Sequence, residues 1–264
     1  MKNIFDFFTK DNIGEPPWEY DFLLTLPESE YPKYLNKIFK YKMGTSLNLK
    51  NPKTFNEKIQ WIKLYGITPL MRQCTDKVNA REYVKEKIGE GYLKPVLQIC
   101  DKFDDIDFDK LPNQFVMKCN HGCKWQLIIK DKEKFLNIKQ LYSASERKIS
   151  GWLEQEFWPF EGFEMQYAII DGIITPKILI EPFMRDKGVE TPPEIQVYCF
   201  NGVPKIYVKF YDDKTISIWN EDFVPIEFFK HAERNLFLQP DENIKLAADL
   251  SKKLSQDFKF VRVD

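Results

Sequence analysis

The spacing of apolar residues predicts helices in the first third of the chain. One helix is predicted over residues 31–42, where apolar side chains recur at helical spacing at Tyr31, Leu35, Ile38 and Phe39. A second is predicted to begin with a capping box, in which Thr54 and Glu57 bond each other's backbone amides, and to end at Gly66. A third is predicted over residues 76–87, which a glycine-rich segment follows.

Strand-like runs dominate the rest of the chain. The β-prone residues 115–118 and 127–129 flank a polar segment that contains a glycine, and this pattern predicts a hairpin. Asn201-Gly202 is a strong signal for a second hairpin, since both residues tolerate positive φ angles. Further helices are predicted over residues 135–152 and from Pro240 onward, and further strands over residues 92–99, 166–170, 176–180 and 258–264.

The turn of the first hairpin, residues 120–124, has the chemistry of an anion site. Gly122 lets backbone N–H groups approach a ligand, and Lys118 and Lys124 supply positive charge. A nucleotide phosphate would suit such a turn. A basic surface hairpin without a ligand fits these residues equally well, so both interpretations stay open at this point.

Composition narrows the class of protein. The 264 residues include 39 Lys and Arg against 40 Asp and Glu, so no overall charge attracts nucleic acid or a membrane, and an anion site must be local. Five cysteines, an odd number, favour reduced thiols in a cytoplasmic protein over a disulfide framework. No run approaches the 18 apolar residues of a membrane helix, so we expect a membrane-bound substrate to be reached from the water side.

Several motifs of known chemistry are absent or incomplete. The chain has no Walker-type phosphate loop and no Gly-x-Gly-x-x-Gly fingerprint. Cys119, His121 and Cys123 could bind a metal, but a fourth ligand at suitable spacing is missing, so incidental thiols are favoured. Asp105 and Asp107 form an Asp-x-Asp pair, which in glycosyltransferases binds a metal. No apolar strand leads into this pair, and a solvated loop is favoured.

Four stretches taken together resemble the ATP-grasp superfamily, and specifically the TupA-like branch found with bacterial surface-polysaccharide genes. The resemblance runs from about residue 51 to residue 264. Its stretches are NPKTFNEKIQWIKLY, DKVNAREYVKEKIGE, LPNQFVMKCNHGCKWQLIIKDK, and ILIEPFM followed by CFNG and FVRVD.

The resemblance implies an α+β fold, in which two α+β subdomains clamp ATP, preceded by a helical N-terminal extension. Residues 1–50 would form the extension and residues 51–112 an α/β region before the grasp domain. Residues 113–264 would form the grasp domain itself, with residues 113–180 as its small lobe and residues 181–264 as its large lobe.

The resemblance also implies nucleotide-binding residues in both lobes. Lys118 would bind the α- and β-phosphates of ATP as a point charge. Glu181 would belong to the hinge that reads the adenine edge, and Glu194 would hold the ribose hydroxyls. The other implied positions are His121, Gly122 and Lys124 in the loop that covers the phosphates, and Phe183 and Met184 in the hinge.

Catalysis and metal binding are implied near the end of the chain. Asp264 resembles the first magnesium-binding acid, and Arg262, two residues earlier on the same strand face, resembles a phosphate contact that acts with Lys118. Proteins commonly bind Mg²⁺ through one or two carboxylates together with substrate phosphates, so a single aspartate is half a site. For Lys118, Glu181 and Glu194, the structural alternative is a salt-bridged surface residue.

Three departures from the family pattern bear on activity. Lys124 stands where the family has a second loop glycine, and Glu194-Ile195-Gln196 stands where Asp-Tyr-Lys is common. The family also continues past the strand of Asp264 to a strand with a metal-binding glutamate, so we expect the C-terminal part of the grasp domain to be incomplete. A truncated natural protein, a ligand from elsewhere and impaired catalysis all fit this last departure.

The activity implied is an ATP- and Mg²⁺-dependent carboxylate–amine ligase that decorates a capsule or related polysaccharide. The substrates would be a carboxylate-bearing sugar or peptide and a small amine, with a lipid-linked glycan as a further candidate. We expect no nucleic-acid partner, and a cytoplasmic location with peripheral contact to the inner membrane face as an option. The alternatives are a polysaccharide glycosyltransferase and a nucleotide-binding pseudoenzyme.

Overall fold

The structure, a computed structural model, describes most of the chain in segments. The described residues are 27–122, 125–154, 174–184, 193–211, 213, 215–227 and 236–264. The chain divides into two compact units, Met1–Thr68 and Pro69–Asp264. Lys124 and the predicted strand 166–170 lie outside the described residues.

The first unit contains two helices that begin and end as their sequences predict. Helix α1 (Tyr31–Met43) buries its apolar stripe and ends at Gly44, whose φ of 73° is the left-handed conformation that glycine adopts most readily. Helix α2 (Phe55–Tyr65) begins with the predicted capping box, because the Thr54 side chain accepts from the Glu57 amide and the Glu57 side chain accepts from the Thr54 amide.

The second unit begins with two helices. Helix α3 (Pro69–Thr75) was not indicated by the apolar pattern, and helix α4 (Asn79–Ile88) starts three residues later than the sequence predicts. The delay has a local cause, since the buried Asp76 carboxylate accepts from the Val78 amide and holds a turn just before the helix.

The first sheet is antiparallel and has the strand order β1-β4-β2-β3. Its strands are β1 (Gln98–Cys100), β2 (Phe115–Cys119), β3 (Gln126–Ile129) and β4 (Ile178–Pro182). The first predicted hairpin, β2–β3, is confirmed. The prediction of a strand over residues 92–99 is wrong for most of its length, because Pro95 lacks an N–H group and pairing begins only at Gln98.

One face of this sheet packs against two helices. Residues 135–152, predicted as a single helix, belong to α5 (Lys132–Asn137) and α6 (Lys139–Glu154), which are separated at Ile138 because that residue has extended backbone angles. The core between the sheet and the helices is formed by buried side chains that include Phe115, Met117, Phe135, Ile149, Ile178 and Ile180.

The second sheet is also antiparallel and has the order β7-β6-β5-β8. Its strands are β5 (Glu194–Phe200), β6 (Val203–Phe210), β7 (Ile216–Asn220) and β8 (Phe260–Val263). The turn at Asn201-Gly202 is confirmed, with φ angles of 50° and 75°. Helix α7 (Glu242–Leu254), capped by the Asp241 side chain, covers one face and buries Ile244 and Ala248 against the sheet.

Phe135 offers a test of the first core, because its ring is 1% exposed and lies 5.7 Å from the Phe108 ring and 5.6 Å from the Tyr142 ring. We expect Phe135→Ala to lower the free energy of unfolding by about 3–5 kcal/mol in denaturant titrations, since it leaves a cavity. The neighbouring Leu136→Ala is the control, because Leu136 is 38% exposed and its truncation should cost only about 1 kcal/mol or less. Equal losses in the two variants would contradict this packing.

Candidate active site

An ion pair lies on the face of the first sheet that points away from helices α5 and α6. The strand register places Lys118 opposite Leu179 and Val116 opposite Glu181, so Lys118 and Glu181 are diagonal neighbours on one face. The Lys118 Nζ lies 2.6 Å from the Glu181 Oε2. Their side chains are only 21% and 9% exposed, so the pair is largely shielded from water.

The surface around this pair is apolar. The strand register puts Ile99 and Ile128 on the same face, and both are well exposed, at 45% and 46%. A shielded charge pair next to exposed aliphatic side chains can hold a ligand that has both a charged and a flat apolar part. The sheet therefore offers one cation and one carboxylate to such a ligand.

The turn that follows β2 is held at its base by Lys77, a residue that the sequence analysis had placed in a helix without a role. The Lys77 Nζ donates to the carbonyl oxygens of Cys119 and Asn120, each at 3.2 Å, and also to that of Gly122. An ammonium group has three N–H donors, so these carbonyls match its capacity. The sequence offered one sign that Lys77 has a structural role: it follows the acid Asp76, just before helix α4 begins at Asn79.

Asn120 connects this turn to two other segments of the chain. Its buried amide group donates to the Asp76 Oδ1 at 3.0 Å and to the Thr175 carbonyl at 2.9 Å. Its side-chain oxygen accepts from the Lys177 amide at 2.7 Å. These bonds satisfy a fully buried polar side chain and fix the start of the turn relative to β4.

Aromatic rings enclose the next two residues of the turn. The His121 ring is fully buried, lies edge-on to Trp125, and has its Nε2 3.0 Å from the Trp152 carbonyl oxygen. Trp125 and Trp152 are stacked, with ring planes 3° apart. At Gly122 a Cβ atom would overlap the Trp125 ring, so only glycine fits this position.

The hinge positions come directly after β4. Glu181 and Pro182 belong to the strand, and the Phe183 amide donates to the Gln114 carbonyl at 3.4 Å. The Met184 side chain is 47% exposed. Residues 183 and 184 therefore follow the strand directly, at the edge of the described segment.

The second sheet carries a row of polar side chains on the face opposite helix α7. The Gln196 Nε2 donates to the Glu194 Oε1 at 2.6 Å, and the Tyr198 hydroxyl donates to the Gln196 Oε1 at 3.2 Å. Tyr198 lies opposite Arg262 in the strand register. Arg262 in turn binds Asp264 with two bonds, at 2.7 and 2.6 Å.

This row, here called the polar ladder, consists of Glu194, Gln196, Tyr198, Arg262 and Asp264. Burial raises the pKa of Tyr198, although the nearby Arg262 opposes the shift, so the phenol stays protonated at neutral pH. Burial lowers the pKa of Arg262, but its bonds to Asp264 outweigh this effect and the pKa stands above its ordinary value. The ladder joins three residues that sequence reasoning selected, and it adds Gln196 and Tyr198.

A cavity of about 660 Å³ lies between helices α4 and α7 and the second sheet. Lys77, Arg262 and Asp264 are its charged lining residues, and most of the remaining lining is apolar. Lys118 is not among the lining residues.

The comparison with known families gives one match. The family described as TupA-like ATPgrasp matches residues 57–264, which is most of the chain. This chain belongs to the TupA-like ATP-grasp family. No curated protein and no solved structure matches it. The α+β ATP-grasp fold expected from the sequence is confirmed, and ATP-grasp proteins are generally ligases that consume ATP.

The donor set for Mg²⁺, which ATP-grasp proteins typically bind with ATP, is small in this chain. The described residues contain no group of three or more His, Cys, Asp or Glu side chains that could hold a metal ion. Asp264 fits Mg²⁺ in kind, since carboxylate oxygen is its preferred protein ligand, and one carboxylate is enough only when phosphates complete the shell. Both of its oxygens bind Arg262, which would have to turn away to free them.

Two alternative metal sites find little support in the geometry. Burial raises the pKa of the Cys119 thiol to about 12, and both ring nitrogens of His121 already lie within 3.2 Å of oxygen atoms. Cys123, the third residue of that candidate, lies outside the described residues. In the Asp-x-Asp pair, Asp107 caps a short turn and bonds Lys110, while Asp105 lies 3.8 Å from Lys102. The carboxylates of this pair are thus engaged with lysines close in sequence.

Replacing Lys118 tests how much stability is lost when the shielded Glu181 carboxylate has no ion-pair partner. We expect Lys118→Met to lower the free energy of unfolding by about 3 kcal/mol, because an unpaired carboxylate stays in a shielded position. The double variant Lys118→Met/Glu181→Gln should recover most of that loss in the same denaturant titration. No recovery in the double variant would mean that Lys118 stabilises the fold by some other contact.

Gly122→Ala tests whether the turn needs its glycine. We expect the added methyl group to push against Trp125 and to weaken ATP binding at least tenfold in calorimetric titrations, with a change in Trp fluorescence. Gly151→Ala is the control, because a Cβ atom at Gly151 meets nothing within 4 Å. Unchanged ATP affinity in Gly122→Ala would show that this turn does not contribute to nucleotide binding.

Proposed function

We propose that this chain is an ATP- and Mg²⁺-dependent ligase that joins a carboxylate to an amine during synthesis of a bacterial surface polysaccharide. The family match supports the use of ATP, and the observation that carries the proposal is the pair of charged surfaces on the two sheets. One surface holds the Lys118–Glu181 pair, and the other holds the polar ladder with carboxylates at both ends. Between them, such surfaces can bind a triphosphate, a ribose and a metal ion.

Each implied residue has a role that its chemistry permits. Lys118 would break its ion pair with Glu181 and bind the α- and β-phosphates. Glu181 would then face the amino group of the adenine base. Glu194 would accept from the ribose hydroxyls. The hinge backbone at Phe183 and Met184 would read the adenine edge.

The turn would close over the phosphates. His121 is buried with both ring nitrogens close to oxygen atoms, so we assign it to holding the turn rather than to a phosphate contact. Gly122 keeps the backbone close to Trp125, and Lys124, which stands in place of the second family glycine, would supply charge. Closing such a turn excludes water, which would otherwise hydrolyse an activated carboxylate.

The reaction consists of two transfers. A carboxylate oxygen of the first substrate attacks the γ-phosphorus of ATP, the bond to the β-phosphate oxygen breaks, and ADP leaves. The amine then attacks the carbonyl carbon of the acyl phosphate, phosphate leaves, and the amine loses a proton. Arg262 would turn from Asp264 towards the transferred phosphoryl group and neutralise the charge that develops on it.

Asp264 would hold the metal together with phosphate oxygens. Bound there, Mg²⁺ supplies charge neutralisation on the phosphates. Gln196, which stands where a lysine is common in the family, carries no charge, so Arg262, Lys118 and Lys124 would supply the positive charge. The carboxylate would belong to a hexuronic acid or an acidic peptide, and the amine to an amino acid or amino alcohol.

Purified protein should form ADP from ATP and Mg²⁺ only when a carboxylate and an amine are both supplied, as a coupled assay over panels of uronic acids and amines would measure. Arg262→Gln should lower this rate by about 10²–10³-fold at unchanged ATP affinity, because it removes charge that acts on the transferred group. Lys139→Gln, an exposed change on helix α6, is the control. ATP binding without turnover in every pairing would instead identify a pseudoenzyme, and preferential binding of uridine diphosphate sugars would favour a glycosyltransferase.

A further inference from the structure

The described part of the first unit differs in charge from the rest of the protein. Residues 27–68 contain eight lysines and three glutamates, a formal charge of +5, although the whole chain carries -1. No arginine occurs in this range. The overall composition does not reveal this local excess of positive charge, because positive and negative residues nearly balance over the whole chain.

Four of these lysines are exposed and belong to one short stretch of the fold. Lys40 lies in the last turn of α1 and Lys58 lies in α2. Lys50 and Lys53 lie in the connection between these helices, residues 44–54. The connection is fixed to α1, because the Leu47 amide donates to the Asn36 Oδ1 at 2.7 Å and the Asn56 amide group lies 3.6 Å from the Met43 sulfur. The lysines are thus carried by an ordered element.

Within residues 27–68, the acids do little to neutralise that surface. Glu57 is used by the capping box, where it accepts from the Lys53 and Thr54 amides, and these bonds lower its pKa. Glu30 pairs with Lys33 at 3.1 Å, at the other end of α1. The positive charge near the connection is therefore left for an external partner.

An exposed aromatic residue accompanies the lysines. Tyr41, next to Lys40, is 58% exposed. Tyrosine has an apolar ring and a polar hydroxyl, and such residues are enriched at the boundary between water and lipid headgroups. A lysine-rich surface with an exposed tyrosine combines the two features of a protein that rests on a membrane surface.

We propose that Lys40, Tyr41, Lys50, Lys53 and Lys58, here called the basic patch, bind the surface of a bilayer that contains anionic lipids. Lysine is a hydrated point charge that suits a diffuse negative surface, whereas arginine dominates where individual phosphates or bases are read by paired bonds. A nucleic acid or an acidic glycan is thus the less favoured partner. None of the described helices has the length and apolar character of a membrane span, so the contact is peripheral.

Sedimentation with vesicles tests the basic patch without reference to ATP, so its outcome is separate from that of the proposed ligase activity. The intact chain should sediment with phosphatidylglycerol–phosphatidylcholine vesicles and not with phosphatidylcholine alone. Each lysine is worth about fivefold in affinity near an anionic membrane, so the variant with Lys40, Lys50, Lys53 and Lys58 all changed to Gln should bind about 600-fold more weakly.

A matched variant controls for net charge. Lys139, Lys245, Lys252 and Lys253 are exposed in the second unit, and changing all four to Gln removes the same charge. This variant should keep its vesicle binding, and Tyr41→Ser should weaken binding in a way that added salt does not reproduce. Circular dichroism checks that each variant keeps its helices.

Three results would overturn the proposal. Equal losses in the two quadruple variants would show that overall charge, and not the basic patch, drives the contact. Equal binding to neutral vesicles would exclude anionic lipid as the partner. Binding to soluble polygalacturonate or DNA that depends on the basic patch, without vesicle binding, would identify an anionic polymer in place of the membrane.

Discussion

The pairing of strand β2 with strand β4 is the constraint on which the candidate site depends. It brings Lys118 next to Glu181, although 63 residues separate them in sequence, and it sets both on the face that the helices leave uncovered. A shift of one residue in this register would turn one of the two charges into the core and bring apolar side chains of the same strand to the surface. The buried apolar residues of the same strands therefore fix the position of the charged pair.

The turn after β2 is held by contacts with residues that lie outside it. Carbonyl oxygens of Cys119, Asn120 and Gly122 converge on a single ammonium group, Lys77, which relieves their mutual repulsion. Trp125 then closes the turn from the other side and leaves room only for glycine. Bonds from outside the turn thus hold its base in place.

The polar ladder of the second sheet gives a physical meaning to one departure from the family pattern. Gln196 has both a donor and an acceptor, and it uses them to bridge Glu194 and Tyr198. A lysine at that position has donors only, so it could bind the carboxylate but could not accept from the tyrosine. Gln196 therefore lacks the positive charge of a lysine but bonds both of its neighbours in the polar ladder. Arg262 and Asp264 complete the row.

The sequence alone determined the elements whose signals are local: the capping box at Thr54, the turn at Asn201-Gly202 and the hairpin around the first candidate loop. It also selected the ends of the polar ladder, through a family resemblance carried by long motifs. It did not find Lys77, nor the helix break at Ile138, because these depend on where distant carbonyls and core residues come to lie. Only the tertiary structure decided which charges meet, since periodicity tells which face a side chain occupies and not what faces it across space.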